Sequence, residues 1–174
     1  KGFLATLGLK FLTLLYEAID NDENSILIVE EVDNRAIGYV AGGSSMKTIY
    51  FKLILRLPEL MISLLPALFS LKKIVKIAEI ILFKRSSSAS KEIPDEELFS
   101  IVVSPEHRGC GHAEKLFLLL CEHFKNKGVS SFKILVGEKL SRAHNFYLKL
   151  GSKKIDEVEL HKGDISFIYV KSLK

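Results

Sequence analysis

Cysteine is scarce in this chain, with Cys110 and Cys121 the only two in 174 residues. That is too few to staple a disulfide scaffold and fits a reducing compartment, so a cytoplasmic protein is expected. The five histidines fall in no H-x-x-x-H pattern and the cysteines in no C-x-x-C pattern, which leaves no metal site to assign. No run of basic residues interleaved with aromatics occurs, so the formal charge of +4 does not indicate a nucleic-acid partner. It suits a small anionic ligand instead. The longest uncharged apolar piece, Leu60 to Leu71, is about a dozen residues, against the roughly 20 that a helix needs to span a bilayer. A transmembrane segment is therefore not expected. No internal repeat is visible.

What is present is an apolar chain of single-domain length. Nearly half of it is hydrophobic (48%), enough for one sizeable core over residues 1–174. Phe3 to Leu15 carries Leu4, Leu7, Phe11, Leu14 and Leu15 at helical spacing, interrupted at Gly8 and continued by Tyr16 to Ile19. Ser25 to Glu31 and Ala36 to Ala41 form two strands joined by an Asp33-Asn34 turn, an antiparallel hairpin that Gly42-Gly43-Ser44-Ser45 ends as a connection. Residues 46–94 form a Leu- and Ile-rich helical insertion followed by a polar linker. Short helices are expected within it, one ending near Pro66 and one from Leu71 to Phe83. Three readings of this insertion stay open: extra core or a homodimer face, a wall of a binding site, and an apolar surface lying on a membrane.

The most informative stretch follows. Glu97 to Val103 is strand-like and meets a turn at Pro105. Then come Arg108-Gly109-Cys110-Gly111-His112-Ala113 and a helix, Ala113 to Lys127, with Ala113, Leu116, Phe117, Leu120 and Phe124 on one face. Two glycines where a strand becomes a helix let the backbone approach a ligand and turn amide N–H groups outward. An anion placed there meets unpaired donors and the positive end of the helix together. A strand from Ser130 to Gly137 leads to a second block, Arg142 to Gly151. Ser141 is a candidate N-cap of its helix and Gly151 the C-terminal cap. Two strands, Lys153 to Leu160 and Ile165 to Ser172, close the chain around a tight turn.

Arg108-x-x-Gly111-x-Ala113 after a strand resembles the acyl-CoA-binding signature of the GCN5-related N-acetyltransferases. Ala143-x-x-Phe146-Tyr147-x-x-x-Gly151 resembles the second motif of the same family, in the right order. The resemblance covers residues 25–45 and 95–172. It implies a mixed α/β fold with a mostly antiparallel sheet that opens into a V at its central strands. It also implies a first strand and part of a first helix before Lys1.

The activity implied is transfer of an acetyl group from acetyl-CoA to a primary amine of a small molecule or peptide, by direct attack. On this resemblance the main chain of Ile101, Val102 and Val103 pairs with the pantetheine arm, and Arg108, Gly109, Cys110, Gly111, His112 and Ala113 take the pyrophosphate. Cys110 and His112 fill variable slots, and direct transfer needs no acyl-enzyme. Tyr147 matches the hydroxyl near the sulfur of coenzyme A, and Glu97 the carboxylate that takes the proton of the ammonium. Glu96 is the rival if the register slips by one, because strand neighbours face opposite sides.

Two positions depart from the pattern: Leu140 stands where members often carry Asn, and Ser152 where they often carry Phe. Ser141 and Asn145 are the candidates to supply the lost polar contact. The alternatives in other classes are a non-catalytic acyl-CoA-binding or protein-interaction module, and a peripheral membrane enzyme acting on a lipid-linked amine.

Overall fold

The computed structural model describes residues 6–55, 58, 93–161 and 164–173. Six strands form one sheet in the order β1-β2-β3-β4-β6-β5. They are β1 (Ser25–Val32), β2 (Arg35–Gly43), β3 (Glu97–Val103), β4 (Ser131–Gly137), β5 (Lys153–His161) and β6 (Asp164–Ser172). Every neighbouring pair is antiparallel except β3 with β4. The implied fold is therefore present, with helices α1 (Leu9–Asp20), α2 (Met46–Leu55), α3 (His112–Asn126) and α4 (Ser141–Lys149) packed around the sheet.

Each face of the sheet has its own apolar cluster. On one, α3 contributes Leu116, Phe117, Leu120 and Phe124, all buried, against Val40, Leu98, Val103, Phe132 and Ile134 of the strands. These four residues recur at helical spacing, and burying each side chain stabilises the fold by roughly 1.5–3 kcal/mol. α4 adds Tyr147 to the same cluster, with Ala143, Phe146 and Leu150 at its margin. On the other face, α1 and α2 pack Phe11, Leu15, Ala18, Ile19, Ile49 and Leu53 around Ala41 of β2. The start of the insertion is thus core, and its expected helices at Pro66 and at Leu71 to Phe83 lie outside the described residues.

Gly8 interrupts the first helical stretch as expected, at φ 99°, and α1 runs from Leu9, while residues 3–5 of that stretch lie outside the described residues. Other local expectations change. Gly42 and Gly43 are not a connection but the last two residues of β2, paired to both neighbours. A Cβ on Gly42 would stand 3.0 Å from the Glu97 carbonyl oxygen and 3.1 Å from Phe124, so the glycine admits α3 close to the sheet. Leu140, not Ser141, occupies the N-cap of α4, and no side chain caps that end. The other end closes as expected. Ser152 N–H donates to the Tyr147 carbonyl and Gly151 N–H to that of Leu148, the paired bonds of a Schellman turn.

The decisive irregularity is in β3. Ala41 pairs with Ser100 and Gly42 with Leu98, so Phe99 is an extra residue, a β-bulge. At the same level β3 leaves β4, to which it is paired only at Glu97↔Lys133 and Leu98↔Ile134. Lys133 holds that junction together. Its buried ammonium donates to the carbonyls of Pro94 (2.7 Å) and Asp95 (2.5 Å) and stands 3.8 Å from the Glu97 carboxylate.

Candidate active site

Beyond Leu98, the main chain of β3 has β2 on one side and, among the described residues, no ladder on the other. Ile101, Val102 and Val103 lie in this open stretch. The side chains of Ile101 and Val103 pack towards α3, while Val102 is exposed on the opposite face. Side chains and backbone therefore divide the work, since packing uses the former and leaves the latter available to a ligand.

From Val103 the chain makes one 3-10 turn, Pro105–His107, and reaches Arg108. Arg108 Nε donates to the Val103 carbonyl at 3.0 Å, so its side chain folds back and closes the loop. Gly109 and Gly111 have φ of 82° and 86°, left-handed values that cost a residue with a Cβ roughly 1–2 kcal/mol. Among the described residues, no main-chain acceptor meets the amide N–H groups of Gly109 through Glu114, and Lys115 is the first to donate, to Gly111. These donors sit at the positive end of a 15-residue helix. The space beside Gly109 and Gly111 is open for 4 Å around a built Cβ. Cys110 is exposed, with Sγ 3.9 Å from the Arg108 carbonyl oxygen. Cys121 is half-buried, and burial pushes its thiol up to about 11, so it stays protonated.

A charged group beneath the loop escaped the sequence reading. Glu30 is buried on β1 and accepts from Lys115 Nζ at 2.8 Å, with His112 Nδ1 at 3.3 Å. The Lys115 hydrogen bond, opposed by burial and helped by His112, holds the Glu30 carboxyl below its ordinary value. A clue existed: Ile26 and Ile28 pack on the α3 side, and strand alternation places Glu30 there too.

Tyr147 is buried against Phe117, Phe146 and Tyr169. Among the described residues its hydroxyl has no hydrogen-bond partner. Burial pushes its pKa well above that of an ordinary phenol. His144, one helical turn earlier, fixes α4 in place, with Nδ1 2.9 Å from the Tyr169 hydroxyl and Nε2 3.0 Å from the Glu138 carbonyl oxygen. Ser141 and Asn145 are both exposed along α4. Glu97 is half-buried beside Lys133. Glu96 lines a polar cavity of about 670 Å³ at the start of β3, with Lys127 and Ser131, at the opposite end of that strand from the Gly109–Gly111 loop.

On the α1 face, three hydroxyls from three elements converge. The Tyr16 hydroxyl is 2.5 Å from that of Tyr39 and 3.4 Å from Ser100 Oγ. They adjoin a cleft of about 320 Å³ between α1 and the first three strands. Among the described residues, no three His, Cys, Asp or Glu converge as a metal site, and no helix is long and apolar enough to cross a membrane.

The chain matches the acetyltransferase (GNAT) family over residues 5–152. No curated protein matches it in sequence. Among solved structures it is similar to a GNAT-family protein from Desulfovibrio desulfuricans (13% identity, 94% of this chain and 79% of that one, TM-score 0.59). It is also similar to PaiA N-acetyltransferase from Thermoplasma acidophilum, solved in complex with coenzyme A (16% identity, 94% and 70%, TM-score 0.56). A third is the ribosomal-protein-S18-alanine N-acetyltransferase of Escherichia coli (11% identity, 91% and 76%, TM-score 0.55).

Proposed function

The chain belongs to the acetyltransferase (GNAT) family, and on that premise we propose that it transfers an acetyl group from acetyl-CoA to a primary amine of a small molecule or peptide. The observation that carries this is the run of amides from Gly109 to Glu114 that meets no main-chain acceptor among the described residues, set beside a strand edge that has no ladder among them. An acyl carrier with a diphosphate at one end and an amide-bearing arm fits both.

Acetyl-CoA supplies an acetyl thioester. The amides of Gly109, Cys110, Gly111, His112 and Ala113 take the diphosphate, and Arg108 braces their loop. Free main-chain groups of Ile101, Val102 and Val103 pair with the arm. An N–H of this stretch faces the thioester oxygen as negative charge grows on it, which lowers the barrier as an oxyanion hole does. The amine nitrogen attacks the carbonyl carbon, a C–N bond forms and the C–S bond breaks. Tyr147 keeps its proton through the neutral range, because burial raises its pKa. It serves as hydrogen-bond donor to the departing sulfur more than as a full proton source. Glu97, at the foot of the V, accepts the proton from the amine, through water where they do not touch. Ser141 and Asn145 offer polar contacts along α4.

One observation favours a second reading. Glu97 shares its charge with Lys133 at 3.8 Å, so a protein that binds acyl-CoA without turning it over would carry the same junction. The experiment is calorimetry with coenzyme A and acetyl-CoA, followed by thiol release in an amine panel. Binding with amine-dependent thiol release is expected. Binding without release supports the second reading, and no binding removes both.

A further inference from the structure

We propose that the acceptor is a primary amine carried on an apolar body, and that it sits in the cleft between α1 and the first three strands. This rests on the acetyltransferase reading and adds the substrate class to it. The cleft has about 320 Å³ of space, and among the described residues none of the nine that line it is charged. Leu27 and Val29 of β1, Ile37 and Tyr39 of β2, Val102 of β3 and Tyr16 of α1 form most of the wall. A ligand pocket of roughly 300 Å³ holds a ring or a short alkyl chain.

Two features tie this cleft to the reacting atoms. Val102 puts its side chain into the cleft while its main chain lies on the unladdered edge of β3. Ser100, next to the bulged Phe99, completes the hydroxyl trio with Tyr16 and Tyr39. The trio therefore stands where β3 leaves β4, on the α1 side of that strand. Each hydroxyl has one donor and two acceptor lone pairs. Tyr16 and Tyr39 use one hydrogen bond on each other, which leaves lone pairs for one ammonium.

Charge decides the class of acceptor. A polyamine or an aminoglycoside brings several ammonium groups, each needing a carboxylate or water, and the described residues of the cleft walls offer no carboxylate. A single amine on an apolar body leaves no such debt. The same apolar walls disfavour the ammonium form, so they help deliver the neutral nucleophile that attack requires. Tyr39 itself is held protonated by burial and by its bond to Tyr16, so the trio passes hydrogen bonds and carries no standing charge.

The test uses the whole chain with acetyl-CoA and follows thiol release. Phenethylamine and hexylamine are set against spermidine and an aminoglycoside. A kcat/KM roughly 100-fold higher for the first pair is expected. Val29→Glu, at an exposed position of β1, sets a carboxylate against the apolar body and holds the amine as ammonium, so it is expected to lower kcat/KM for phenethylamine roughly tenfold while coenzyme A affinity is unchanged. Equal or better turnover of spermidine or the aminoglycoside overturns the proposal, as does a Val29→Glu protein with unaltered phenethylamine kinetics. If no amine releases thiol, the acetyltransferase reading fails separately. Calorimetry of phenethylamine against the coenzyme A-mixed protein then decides the cleft alone: saturable heat lost in Val29→Glu upholds it, and absence of heat overturns it.

Discussion

The two faces of the sheet are built to different standards. Under α3 and α4 the side chains interlock. Phe117 meets Phe132, Phe146 and Tyr147 with ring centroids 5.8–6.0 Å apart, and Phe124 meets Phe132 at 5.1 Å. Under α1 the packing holds around Leu15, Ile19 and Ile49 but gives way to hydroxyls and an open cleft beside Tyr16 and Val29. The closed face fixes where α3 begins, and so where its amides point. The open face leaves room for something to arrive. Rigidity on one side and access on the other is what a group-transfer site needs.

That contrast can be broken by experiment, beginning with the largest effect. Phe117→Ala removes a fully buried ring and should cost about 3–5 kcal/mol in urea denaturation. Val29→Ala, at a position 46% exposed, should cost less than about 1 kcal/mol. Similar losses for the two would mean the faces are equivalent. Tyr147→Phe should lower kcat roughly 10- to 100-fold and leave the coenzyme A dissociation constant nearly unchanged by calorimetry. Unaltered turnover would remove Tyr147 from the chemistry and leave it as core.

Gly111→Ala tests the loop. At φ 86° an alanine costs roughly 1–2 kcal/mol; a free loop that relaxes out of this conformation meets the cost only on binding, so coenzyme A should bind about 5- to 30-fold more weakly, with the urea midpoint little moved. Glu30→Gln should destabilise by about 1 kcal/mol near neutral pH. The folded pKa of Glu30 lies below its ordinary 4.5. Its contribution is therefore present above that pH and lost as pH falls through the folded value. The gap in Tm between wild type and variant should close in acid, and a gap that persists there would have another origin. Smallest of all, Ser141→Ala should shift stability by less than about 0.5 kcal/mol, since no side chain caps α4.

The elements that announce themselves in sequence are those whose cause is local. Gly109 and Gly111 are required by backbone conformation at their own positions, and the face of α3 repeats within its own turns, so loop and helix are both legible. Ser141 misled because a serine at the start of a helix resembles a cap, yet Ser141 is already the first helical residue and Leu140 holds the N-cap. Gly42 misled for the opposite reason. It serves the approach of Phe124, 82 positions along the chain, and nothing beside it says so. The Tyr16–Tyr39–Ser100 trio and the Glu30–Lys115 pair join residues far apart in sequence. They exist only once the strands have found their register.

One supernumerary residue settles a question of parity. Counting by twos from Leu98 would bury Ser100 and Val102, yet both lie on the side away from Leu98, and Ile101 and Val103 keep its company. The even count is restored only because Phe99 is spent on the bulge. Excising Phe99 would leave every remaining side chain on its present side and let the shortened strand zip to β4 along its length. Such a chain would be more regular, though it would lose the Phe99 ring that packs against the α1 cluster, with no seam left for a ligand to enter.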